Sequence, residues 1–130
     1  MTEQIKTDKT INEIYDEFEV SQLLMDLGVH PECKGYDYII TAMNLVKTDR
    51  TYLNDVVKRL YVDVAAIKHV TPMNIERCIR HETQRMVKEK TAAYEKVFGN
   101  TNIKLTNSRM LACVYEHFRI RKRIEIDANT

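Results

Sequence analysis

Glycine and proline are scarce in this chain, three and two among 130 residues. With so few helix breakers and no low-complexity tract, the composition favours an all-helical fold. The glycine-rich loop that cradles nucleotide phosphates is also missing. Nothing approaches the ~18-residue apolar run that a membrane-spanning helix needs. The N-terminus MTEQIKTDKT is polar where a signal peptide would be apolar. A cytoplasmic protein with no membrane partner is expected. Cysteine is limited to Cys33, Cys78 and Cys113. An odd number of widely separated cysteines without a C-x-x-C pair supports neither a disulfide framework nor a zinc site. They are expected as reduced thiols, buried rather than reactive. His30, His69, His81 and His117 lack H-E-x-x-H or any other metal spacing, and there is no carboxylate-rich calcium loop. No metal and no cofactor are expected. Ser21 and Ser108 have no paired base in view, and Asp16 with Glu19 reads as ordinary solvated helix face. No residue is assigned a catalytic role, and the chain is not expected to be an enzyme.

Hydrophobic residues make up 44% and charged residues 30%, enough for one core in a chain of single-domain length. The formal net charge of +1 conceals an asymmetry. Residues 1–71 carry 8 Lys and Arg against 12 Asp and Glu, residues 72–123 carry 12 against 5, and residues 124–130 carry none against 2. A basic C-terminal half is the electrostatic footprint of a surface for polyanions. Solvated helix faces produce the same excess, so charge alone leaves both readings open.

Thr10 with Glu13 forms a capping-box pattern, followed at helical spacing by Ile11, Ile14, Tyr15 and Phe18. A helix start is expected there. Val20, Leu23, Leu24 and Leu27 extend the apolar stripe until Gly28 and Pro31 stop it. Tyr36, Ile39, Ile40, Met43 and Val46 mark another helix. Leu53, Val56, Val57 and Leu60 lead into the series Val64, Ile67, Val70. Thr71 can then cap a longer helix whose first position is Pro72, where a missing N–H costs nothing. Two short helices, a tight turn at His69 to Thr71 and a longer helix have the spacing of a helix-turn-helix, with the recognition helix over Thr71 to Lys88. Ala93, Tyr94, Val97 and Phe98 before Gly99 read as a short amphipathic helix. Thr106 or Asn107 caps a last one carrying Met110, Leu111, Val114, Tyr115 and Phe118, with the basic run Arg119 to Arg123 at its end.

The expected fold is all-α, with about six or seven helices, winged-helix-like but without a sheet. Its core should include Leu24, Leu27, Tyr36, Ile40, Met43, Leu60, Ile67, Ile75, Ile79, Val114 and Phe118. The expected organisation is a helical extension over 1–19, a helix-turn-helix domain over 20–123 and a polar tail over 124–130.

On a helical wheel, Ile75, Cys78, Ile79, Glu82 and Met86 share one side of the segment 72–88, which suits a core-facing surface provided Glu82 sits at the edge or finds a partner. Met73, Arg77, Arg80, Gln84 and Lys88 gather opposite, flanked by Glu76 and His81. Arginine can donate twice to guanine, glutamate can accept from cytosine N4 and glutamine can read adenine. Glu76 and Arg80 are also an i,i+4 pair of a kind found on any exposed helix.

Several segments carry a resemblance: Leu27-Gly28-Val29, Lys34-Gly35-Tyr36-Asp37-Tyr38, Leu60-Tyr61-Val62-Asp63-Val64-Ala65, Ile75-Glu76-Arg77-Cys78-Ile79-Arg80-His81 and Thr106-Asn107-Ser108. In this order, over roughly residues 20 to 121, they resemble the C-terminal effector domain of the sporulation initiation response regulator, stage zero sporulation protein A. The resemblance implies a bacterial all-α domain of about six helices that binds a short DNA box, often as tandem copies. Carried over by position, it implies base reading by Glu76, Arg77 and Arg80, and backbone contacts from Thr71, Met73 and Asn74. Met73 and Asn74 stand where the family tends to have Ser and Arg, so a backbone or base contact is expected to be lost and the preferred sequence to shift; Val62 stands where the family often has Pro, which bears more on helix geometry than on readout. The first 20 residues are too few for the family's phosphoacceptor receiver domain. Control by phosphorylation is therefore not carried over, and the initiator Met with its capping box favours a stand-alone relative.

The leading expectation is a sequence-specific transcription regulator on double-stranded DNA. Arg77 and Arg80 would read guanines, and Glu76 would read cytosine or orient an arginine. His81 and Gln84 would lie alongside, with Lys88, Lys104, Arg109, Arg119 and Arg121 on phosphates. A DNA-stabilised homodimer on tandem sites is the expected assembly. The alternative is a protein-interaction module that antagonises a full-length regulator through its acidic half. Steep salt dependence of DNA binding separates the two.

Overall fold

The computed structural model describes residues 14–100 and 103–129. These form six α-helices: α1 (Glu17–Asp26), α2 (Lys34–Thr48), α3 (Tyr61–Lys68), α4 (Pro72–Glu89), α5 (Ala92–Phe98) and α6 (Asn107–Ala128). A 3-10 turn (Arg50–Asn54) and a π turn (Val56–Leu60) join α2 to α3. Among the described residues there is no strand. One apolar core runs through the helices, from Tyr15, Leu24 and Leu27 through Met43, Leu60, Ile75 and Ile79 to Val114 and Phe118.

The first described helix begins at Glu17, and residues 14–16 before it are not helical. The Thr10 and Glu13 pattern lies outside the described residues, and the observed cap is Asp16. The Glu19 N–H donates to Asp16 Oδ1 at 2.8 Å, and the Asp16 N–H donates to Glu19 Oε1 at 3.1 Å. The carboxylate pair read as solvated surface is thus a capping box that satisfies two otherwise unpaired backbone donors. Because residues 14–16 are not helical, Tyr15 and Phe18 do not share a face. Phe18 is 76% exposed. Tyr15 is buried, its hydroxyl donating to the Met43 carbonyl at 2.5 Å and its ring 5.1 Å from that of Phe118. Burial pushes the Tyr15 hydroxyl far above its ordinary pKa. The core therefore starts N-terminal to residue 20.

The main difference from the expected core lies in α3. Its buried stripe runs from Leu60 through Tyr61, Val64 and Ala65, leaving Val57, inside the π turn, and Ile67 outside it. Ile67 is 50% exposed rather than part of the core, and Tyr36 is only half-buried. The two turns are tied to α3 on the surface: Tyr52 donates to Asp63 Oδ2 at 2.5 Å, and Arg59 stacks over the Tyr52 ring while pairing with Asp49 at 3.0 Å.

At its C-terminal end α6 continues through Ala128, across residues expected as a polar tail. Arg121 pairs with Glu125 at 3.9 Å and Arg123 with Asp127 at 3.4 Å along this extension. Such i,i+4 pairs each support an exposed helix by a few tenths of a kcal/mol. Cys33, Cys78 and Cys113 are free and half-buried, less enclosed than expected. Among the described residues no group of His, Cys, Asp and Glu could hold a metal ion, and no helix is long and apolar enough to cross a membrane.

Candidate nucleic-acid interface

Helices α3 and α4 meet through the three residues His69, Val70 and Thr71. His69 takes the left-handed conformation (φ 58°) that ends α3, with its N–H bonded to the Ala65 carbonyl. Thr71 then caps α4: its hydroxyl accepts from the Asn74 N–H at 3.1 Å, and Pro72 occupies the first helical position. A sharp reversal followed immediately by a well-capped helix is the local requirement of a helix-turn-helix, and these residues meet it.

The inner face of α4 is buried along its length: Ile75, Ile79, Glu82, Thr83 and Met86. Glu82 is 4% exposed and accepts from Arg85 Nε at 3.1 Å. The partner that the burial of a carboxylate demands is thus supplied one turn along the same helix. Its side chain also packs at the N-terminal end of α2, where the partial positive charge of a helix start favours an anion. At that crossing lies Gly35. A Cβ built there would fall 2.5 Å from the Cys78 carbonyl oxygen and 2.5 Å from Glu82 Cγ. The Lys-Gly-Tyr segment therefore has a physical reason: only hydrogen at residue 35 lets α2 approach the backbone of α4 this closely.

A single side chain secures the other flank of α4. Asn107, at the start of α6, donates to the Tyr61 hydroxyl at 3.0 Å and to the Glu76 carbonyl at 3.2 Å, and its Oδ1 lies 2.8 Å from the Thr83 hydroxyl. It joins α3, α4 and α6 while using nearly all its hydrogen-bonding capacity. Burial raises the Tyr61 hydroxyl above its ordinary pKa, partly offset by the bond from Asn107. Asn107→Ala is expected to cost about 2 kcal/mol, measured by urea unfolding.

With its inner face and both flanks held, α4 presents Met73, Arg77, Arg80, His81, Gln84 and Lys88 to solvent. Arg80 Nη1 donates to Glu76 Oε1 at 3.2 Å, the geometry of an arginine oriented by its neighbour. Asn74 is placed differently. Its Oδ1 accepts from the Tyr38 hydroxyl at 3.4 Å and faces Cys78 Sγ at 3.8 Å, so this atom is directed toward α2. Lys104 comes beside Arg80 and Gln84, lining one cleft with Glu76, Asn107 and Ser108.

Arg119 and Arg121 are not brought to this face. They lie 12 and 14 residues beyond Asn107, about 18 and 21 Å along the helix. Arg121 lines a separate cleft with Leu23, Lys96 and His117. Arg119 is bonded to Glu116, which holds the guanidinium above and the carboxyl below their ordinary pKa values. Arg109 is exposed in the first turn of α6.

A family model for the C-terminal domain of the sporulation initiation factor Spo0A matches residues 20–118. The chain belongs to that family. The Spo0A C-terminal family is one of sporulation-initiation effector domains, generally DNA-binding, and is not an enzyme family. The match takes in the helix-turn-helix, Gly35 and Asn107, and ends at Phe118, before Arg119 and Arg121. Gly35 entered the sequence reading only within a segment that resembles the family, and Asn107 within another such segment and as an alternative cap to Thr106, which is the observed one. The Tyr61 and Thr83 partnership with Asn107 had no local signal at all, because it depends on three helices meeting.

Proposed function

We propose that this Spo0A-type domain binds specific double-stranded DNA sequences and regulates transcription, with α4 in the major groove. The carrying observation is that Arg77, Arg80 and Gln84 project from one face of a helix whose opposite face is buried. Their donors can reach base edges without the helix leaving the core. Arg77 and Arg80 read guanines, Glu76 orients Arg80, and Gln84 lies further along the groove. Thr71, His81, Lys88 and Lys104 surround this face and serve the phosphates. Arg119 and Arg121, remote along α6 and paired with Glu116 and Glu125, are not included in this proposed contact set.

Titration of a duplex selected from a randomised pool, and of its scrambled version, at several salt concentrations tests the reading. Affinity should fall steeply with salt for both duplexes, by a slope of about 0.9 per phosphate neutralised, with the selected duplex bound more tightly. Equal affinity for the two duplexes, or salt-insensitive behaviour with no DNA binding, would refute it. The assembly we propose is a monomer in solution that binds paired sites cooperatively, since adjacent sites raise effective concentration without a large interface. Sedimentation of the free protein as a stable dimer would contradict that.

A further inference from the structure

We infer that Met73 is a specificity-determining residue that selects a thymine by packing on its C5-methyl group; this rests on the placement of α4 in the major groove. Met73 is 77% exposed, the most exposed large hydrophobic residue among those described. Isolated exposed methionines are common, and exposure alone would decide nothing. Its position does. Met73 occupies the second residue of α4, next to the Pro72 that opens the helix, in line with Arg77, Arg80 and Gln84 at helical spacing. An apolar side chain there stands about 6 Å along the helix from Arg77, a reach of one or two base pairs. The one apolar feature on the base edges of the major groove is the thymine methyl. The thioether is unbranched, polarizable and free to adapt to it. Opposite cytosine or adenine it would instead cover a polar amino group and leave that group unpaired. The residue thus discriminates without donating a hydrogen bond.

The test removes the thymine methyl from one side and the methionine side chain beyond Cβ from the other. With the full chain and the selected duplex, each thymine of the box is replaced in turn by uracil, which deletes only the methyl. One position, within two base pairs of the guanine whose contribution is lost in Arg77→Ala, should weaken wild-type binding about fourfold, the effect of one buried methyl or methylene. In Met73→Ala the same replacement should have no effect, while the guanine dependence and the thermal midpoint persist. A uracil penalty at no position, the same penalty in Met73→Ala, or a selected box without thymine overturns the inference while leaving the placement of α4 intact. If selected and scrambled duplexes bind alike, that placement fails and this role falls with it.

Discussion

Arg77→Ala is expected to lower affinity for the selected duplex by ~1–3 kcal/mol while changing affinity for scrambled DNA little. The asymmetry follows from chemistry. A guanidinium donating to guanine O6 and N7 loses base-specific bonds when truncated, whereas non-specific binding depends on the summed charge near phosphates. Arg80→Ala should behave similarly, with specificity relaxing at a different base. If Glu76 serves to orient Arg80, Glu76→Ala should reduce specificity at the same base that Arg80→Ala affects rather than at a new one. Lys104→Ala supplies the contrast: equal weakening on both duplexes and a salt slope smaller by about one unit. Binding curves on the two duplexes at several salt concentrations give all four results. Equal losses on both duplexes for Arg77→Ala and Arg80→Ala would reduce α4 to an electrostatic anchor.

Gly35→Ala is expected to destabilise the domain by about 2 kcal/mol net, and here two effects of opposite sign compete. Helix propensity alone favours alanine inside a helix by ~1 kcal/mol. Against that, the new Cβ would sit 2.5 Å from the Cys78 carbonyl oxygen, a separation at which one of the backbones must move. Overpacking of this kind costs ~1–3 kcal/mol and sometimes more. Because the clash is with α4 backbone and not with the end of a flexible side chain, the upper part of that range should prevail. A melting point lower by roughly 10 °C is the expected readout. The same displacement would tilt the helix that carries Arg77 and Arg80, so specific DNA affinity should fall further than melting alone accounts for. A melting point equal to or above that of the wild type would show that α2 can shift without cost.

The helices themselves were largely legible because their causes are local. Apolar residues at spacings of three and four, Thr71 before Pro72, and Gly28 after an apolar stripe each act within a few residues, and α1 to α6 appear where these signals lie. The division of α4 into a buried side and an exposed side follows from the same periodicity, which is why Ile75, Ile79 and Met86 were placed correctly inside. The first helix shows how a local signal misleads. Tyr15 and Phe18 have helical spacing, yet Asp16 starts the helix between them, and the ring that enters the core does so from a non-helical turn.

What the chain could not announce is how its helices are phased and held against one another. α3 is turned against the core with Tyr61 and Ala65 inward and Ile67 exposed, and no spacing count detects this because Ile67 keeps helical spacing with Leu60 and Val64. Basic charge was visible in the C-terminal half, but only the direction of α6 separates Lys104, beside Arg80, from Arg119 and Arg121, carried far along the helix. The need for glycine at residue 35 and for asparagine at residue 107 arises from atoms dozens of residues away, at the α2–α4 crossing and where α6 meets α3 and α4. Sequence by itself determined the elements and the face that α4 shows to solvent, since periodicity and capping are short-range. Tertiary structure alone decided which charges share that face and what holds it in place, because both depend on contacts between residues distant in the chain.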